Sequence, residues 1–179
     1  MARIGPGDLP LTMEELRVVA RYAAESAQDV LPLFEAVHPD DGRPRAATQA
    51  AWAFATGAER SMRQRVTALD AHRAAKAATT GAARHAAHAA GDAAAAAYLH
   101  PIARATQVGH ILRAAAHAAR AAELAADDAP RLGDRRIERD RLRASPVLVE
   151  VLRRYPPAPD GTGRVARLMA ALDTSLRRA

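Results

Sequence analysis

The chain has 179 residues, enough for one domain around a single core, and 49% of them are hydrophobic but only 3% aromatic. Cysteine is absent, which excludes disulfides, thiolate nucleophiles and Cys-ligated metals. The net charge of +6 is almost all arginine, with Lys76 the only lysine; no run of eighteen apolar residues lacks charge, so no membrane span is expected.

Alanine supplies more than half of the hydrophobic residues. It is the best helix former and buries little area, so the composition favours closely packed helices over an aromatic core. The opening "MARIGPGDLPL" contains one arginine and no apolar segment of the secretory kind, so a cytoplasmic location is expected.

In chain order, a Gly/Pro leader over residues 1–11 reads as flexible. Thr12 and Glu15 then form a capping box at the head of a first helix, carried by Leu16, Val19, Ala20, Ala23, Ala27, Val30 and Leu31. Pro32 is expected to kink or restart this helix, which ends near Val37. Pro39 and Asp41-Gly42 predict a turn, and Pro44 suits the first position of a second helix ending near Gly57. A third helix is expected over 60–79, closed by Gly81. A fourth, almost all alanine, covers 82–99, and a fifth runs from Pro101 to about Ala126. "DDAPRLGD" reads as a loop, two shorter helices follow near 134–143 and 146–154, and a last amphipathic helix covers 163–178. No strand-like alternation and no fixed-period repeat occurs. The fold expected is all-α, a compact single-domain bundle of seven or eight helices with alanine-rich centres.

Chemistry-bearing residues are densest in "FEAVHPDDGRPRAA", residues 34–47. Glu35 and His38 have the Glu-x-x-His spacing that puts both side chains on one helical face, as in carboxylate-bridged metal bundles. With Asp40 and Asp41 they could form a mixed oxygen–imidazole site for a divalent metal, for which Glu35, His38, Asp41 and His72 are the candidate ligands. Arg43 and Arg45 could instead clamp an anion at the start of the second helix. The plainer alternative is a turn in which Asp40 or Asp41 caps a helix and the arginines pair with those carboxylates.

Further along, Asp70, His72 and Arg73 lie on the third helix. His85, His88 and Asp92 fall at i, i+3 and i+7 on the fourth and could ligate a metal or hold a proton relay. His110 and His117 share one face of the fifth, near Arg113. His100 precedes Pro101 at a helix break, where Tyr98, His100, Arg104 and Gln107 could line a pocket. The arginine-rich "RLGDRRIERDRLR" (131–143) reads as a solvated helix face because Asp134, Glu138 and Asp140 interleave it, and the few scattered aromatics argue against nucleic-acid binding. There is no phosphate loop, His-Glu-x-x-His or nucleophile elbow, and no cofactor is expected beyond the candidate metal.

The order of features, "LTMEELRVVARYAAESAQDVLPLFEAVHPDDGRPRAATQAAWAFA", then "ALDAHRAAKAA", then a histidine-bearing alanine-rich stretch, resembles a family of bacterial proteins labelled putative immunity proteins. The resemblance covers most of residues 10–125 and is most specific at His-Pro-Asp-Asp-x-Arg-Pro-Arg. It implies an all-helical protein of a polymorphic toxin system, here of actinobacterial type, with Glu35, His38, Asp40, Asp41, Arg43, Arg45 and His72 matching the family pattern. Where that pattern leads one to expect Gly-His, this chain has Gly91-Asp92. The expectation is therefore a non-catalytic binding protein that uses the His38–Arg45 turn and adjacent helix ends, with Arg73, His100 and Arg104 as further contacts. Its partner would be a protein toxin or a small anionic ligand, and a second copy of the chain is a further candidate. The alternative is an enzyme or small-ligand-binding bundle in which Glu35, His38, Asp41, His72 and His100 share one pocket.

Overall fold

A computed structural model describes residues 8–179; the first seven residues of the expected leader lie outside them. Eight α-helices occur among the described residues: α1 (Met13–Glu35), α2 (Arg43–Ala55), α3 (Met62–Ala77), α4 (Gly81–Ala95), α5 (Val108–Ala125), α6 (Pro130–Arg143), α7 (Pro146–Arg153) and α8 (Arg164–Arg178). The all-α bundle expected from the sequence is the fold.

Local chemistry sets most of the boundaries. The Thr12 backbone N–H donates to the Glu15 carboxylate at 2.8 Å, while the Glu15 N–H donates to the Thr12 hydroxyl at 3.2 Å, so the capping box opens α1. Pro32 does not interrupt α1. It sits exposed in the last turn, where its missing N–H costs a single helical bond. Gly81 opens α4 instead of closing α3, because the Thr80 hydroxyl accepts the Ala83 N–H and caps a new helix.

α5 starts at Val108, seven residues after Pro101. The Pro101 carbonyl is taken by the Leu9 N–H at 2.7 Å, and Asp8 pairs with Ile102 in an isolated antiparallel bridge, so the chain stays extended there. The same contacts hold residues 8 and 9 of the leader against the body. α6 begins inside the expected loop, with Pro130 in its first turn.

α4 is the centre of the molecule. Ala83, Ala86, Ala87, Ala89, Ala90, Ala93 and Ala94 are fully buried, and α1, α2, α3 and α5 all pack on it. Side chains this short let four helices approach a fifth. Larger buried side chains, among them Phe34, Phe54, Ile111, Leu112, Leu168, Leu172 and Leu176, fill the rest of the core, and α8 lies on α5 and α6.

Two charged seams fasten α6. Arg136, Arg139 and Arg143 all donate to Asp29 of α1, and Arg143 also holds the fully buried Asp140. The expected solvated face is present at Asp134, Arg135, Glu138 and Arg139, but Asp140 is buried and Arg136 and Arg143 turn toward α1. On the other side, fully buried Glu123 of α5 accepts from Arg120 at 2.7 Å and from the Arg164 Nε at 2.9 Å. Gly133 lets α6 come this close, since a Cβ there would stand 1.9 Å from the Glu123 Oε1.

Candidate functional site

The turn at residues 38–45 is closed by its own groups. The His38 ring packs on Phe34 with 4.9 Å between ring centres, and its Nε2 accepts the Thr79 N–H at 3.1 Å. The Asp41 carboxylate accepts from the Arg43 Nε at 2.8 Å, from its terminal nitrogen at 2.6 Å and from its backbone N–H at 3.2 Å. That guanidinium holds the Asp41 carboxyl below the usual carboxylate range. Arg45 pairs with Glu35 at 2.6 Å, and Asp40 is exposed. Of the plainer alternative, the Arg43–Asp41 pair is found, whereas Arg45 reaches Glu35 of α1 and no aspartate side chain caps α2.

The other candidates are dispersed. Arg73 pairs with Asp70 at 2.8 Å. His100 is exposed, its backbone N–H donating to Gln107 and its carbonyl accepting from the Tyr155 hydroxyl at 2.9 Å; Arg104 is exposed beside it. The Tyr98 hydroxyl donates to the Ser61 carbonyl instead of entering a pocket with His100. Glu35, His38, Asp41 and His72 are therefore each engaged with different neighbours, and no group of three or more His, Asp or Glu side chains among the described residues stands where it could hold one metal ion.

The histidines of the alanine helices do converge. α3 supplies His72, α4 supplies His85, His88 and Asp92, and α5 supplies Arg113 and His117. The His72 and His88 Nδ1 atoms face each other at 3.0 Å, and those of His85 and His117 at 2.8 Å. Both are hydrogen-bond distances, with one ring donating its Nδ1–H to the other. The rings of His88 and His117 stack with centres 4.9 Å apart.

Asp92, 3% exposed, lies beneath them. Its Oδ1 accepts from the Arg113 Nε at 3.0 Å and stands 3.7 Å from the His72 Nε2. Its Oδ2 stands 3.7 Å from the His117 Nε2 and has no hydrogen-bond partner. Burial raises the Asp92 pKa, against the opposing pull of Arg113. Burial also lowers all four imidazoles, His85 to about 4, with positive neighbours Arg84, Arg113, Arg120 and Lys76 adding to the effect, so the rings are neutral near pH 7. Gly91 is required here, because a Cβ would come within 2.8 Å of the His72 ring and 3.0 Å of the Ala68 carbonyl. His110 leaves the group, its Nδ1 lying 3.1 Å from the Ala95 carbonyl oxygen.

Beside this groove, α3 turns an apolar stripe outward. Met62, Val66 and Leu69, at i, i+4 and i+7, are 61%, 49% and 53% exposed. Leu69 and His72 share the wall of a depression of about 260 Å³ with Arg65, Ala68, Ala95 and Tyr98. Arg60 and Arg65 lie over the Tyr98 ring at 5.4 and 4.8 Å. The sequence signal was present in the unbroken helical spacing of these three residues on a face with few other apolar positions.

In comparison with known families, the model described as Imm-5 like putative immunity protein matches residues 9–145. No curated protein and no solved structure matches the chain. The matched region contains α1 to α6, and with them the turn, the histidine groove and the α3 stripe, while α7 and α8 lie beyond it. No helix of the described residues is long and apolar enough to cross a membrane.

Proposed function

The chain belongs to the Imm-5 like putative immunity protein family, and on that premise we propose that it acts by binding, covering part of a partner toxin with the outer face of α3. The observation that carries this reading is the exposed stripe of Met62, Val66 and Leu69. Three large apolar side chains aligned on one helix are a cost to an isolated molecule and a gain once a partner removes them from water. Arg60, Arg63, Arg65 and Arg73 surround the stripe, all exposed. An acidic protein surface with an apolar centre complements this face, and its charge would speed encounter as well as select the partner.

The turn at residues 38–45 lies near the C-terminal part of α3. His38 is bonded to Thr79 just past the end of α3, and Arg43 lies close enough to Asp70 to feel its charge. In this reading Arg43 and Arg45 contribute shape and modest electrostatics, because each already has a carboxylate partner. Neutralisation needs no chemistry from the chain.

The test is co-expression with the cognate toxin. The wild-type chain should restore growth, and Val66→Asp with Leu69→Asp should remove that protection while leaving the helical content and melting temperature unchanged. Full protection by the folded double variant would move the contact away from α3. No protection by the wild type against that toxin would contradict the binding reading as such.

A further inference from the structure

The groove between α3, α4 and α5 has a feature that toxin binding does not use. We propose that the facing imidazoles of His85 and His117 bind one divalent transition-metal ion, with Asp92 backing His117 and solvent completing the coordination.

Three observations carry this. The two Nδ1 atoms already face each other at 2.8 Å, joined by a shared proton. Two imidazole nitrogens on one tetrahedral zinc stand about 3.3 Å apart, given bonds of 2.0–2.1 Å. A small ring movement therefore admits the ion, and rotation about the last histidine torsion is soft.

The second observation is the orphaned Asp92 Oδ2, almost fully buried and 3.7 Å from the His117 Nε2. A histidine that ligates through Nδ1 carries its proton on Nε2. That N–H would point at this oxygen, the carboxylate–histidine–metal arrangement that fixes ring orientation and raises ligand basicity. The ion thus supplies the orphaned oxygen with the donor it lacks. The bridging proton moves from an Nδ1 to an Nε2, so two neutral imidazoles become two neutral ligands and no net proton is released.

The third is access. His85 is partly exposed, so an ion can reach the facing nitrogens from its side, while the His117 side chain, 14% exposed, lies deeper. The His72–His88 pair has the same geometry and shares Asp92 through Oδ1, but that oxygen is already occupied by Arg113. With His88 stacked on His117, two dications would be too close, so the stoichiometry is one per chain. Imidazole-rich, sulfur-free coordination selects zinc, nickel, copper or cobalt over magnesium or calcium.

The experiment is calorimetric titration of the chelator-stripped full chain with zinc alone, with native mass spectrometry for stoichiometry. One ion per chain is expected. His85→Ala and His117→Ala should each weaken binding at least about tenfold, Asp92→Asn about ten- to a hundredfold, and His38→Ala should leave it unchanged. If a variant does not fold, ring NMR of the wild type decides. Zinc should shift the His85 and His117 ring signals and leave those of His38 and His100 in place. Absence of zinc binding, or binding that leaves the His85 and His117 rings unperturbed, would overturn the proposal.

Discussion

Helices α3 and α6 are both rich in basic residues, yet they use them in opposite ways. On α6, Arg136 and Arg143 face inward and share Asp29 and Asp140, the more exposed Arg139 also reaches Asp29, and Gly133 makes room for buried Glu123. On α3, Arg63, Arg65 and Arg73 remain exposed around Met62, Val66 and Leu69. The carboxylates make the difference. Asp29 lies within reach of α6, whereas the stripe of α3 faces solvent with Asp70 already taken by Arg73. Charge spent inside the fold fastens helices, and charge left outside is available to a partner.

The same contrast separates two buried aspartates. Asp140 and Asp92 each have an oxygen without a hydrogen-bond partner. The Asp140 oxygen faces the Arg136 guanidinium at 3.8 Å, so its neighbourhood is already cationic. The Asp92 Oδ2 faces the His117 imidazole at 3.7 Å, while the Arg113 guanidinium is taken by the other oxygen.

The largest effect is expected on the α6 side. Gly133→Ala would drive a Cβ into the Glu123 carboxylate and break its pairs with Arg120 and Arg164, costing about 3–5 kcal/mol in denaturant unfolding. Gly91→Ala on the groove side should cost less, about 1–3 kcal/mol, because the His72 ring can yield although the Ala68 carbonyl cannot.

Acid should separate the two regions next. The groove histidines have lowered folded pKa values, His85 about 4, so the unfolded chain binds more protons between there and the ordinary value of 6.5. Their contribution is complete above pH 6.5 and is lost as pH falls toward 4. Asp92, with a raised folded pKa, acts in the opposite sense but is one group against four. The melting temperature should therefore be lower at pH 5 than at pH 7.5, and His85→Gln should reduce that difference. A melting temperature independent of pH over this range would contradict the buried, neutral assignment.

The smallest stability effects belong to the outer face. Val66→Asp and Leu69→Asp should each change stability by no more than about 0.5 kcal/mol, being surface positions. Arg43→Ala with Arg45→Ala should cost about 1 kcal/mol or less by thermal melting, since both ion pairs are largely exposed.

The sequence made the helices legible because their signals are local: the Thr12 capping box and the proline near the start of α2. It misled where a distant group decided the outcome. Leu9 holds residues 101–102 extended, and Asp29, more than a hundred residues before its arginine partners, turns α6 inward. The groove was legible in halves. His85, His88 and Asp92 share a face by spacing, and so do His110 and His117, but periodicity cannot say which faces meet. The packing of α3 and α5 on α4 brings His72 and His117 to that face and leaves His110 outside it. Conversely, the density of charge around Pro39 and Pro44 drew attention to a turn whose charges neutralise one another.

The most direct test of the account is calorimetric titration of the cognate toxin into the wild type and into the Val66→Asp, Leu69→Asp double variant. The account predicts a saturable complex with the wild type and binding at least about a hundredfold weaker in a variant whose melting temperature is unchanged, as expected for charges placed in a buried apolar contact. Equal affinity for both proteins would contradict it.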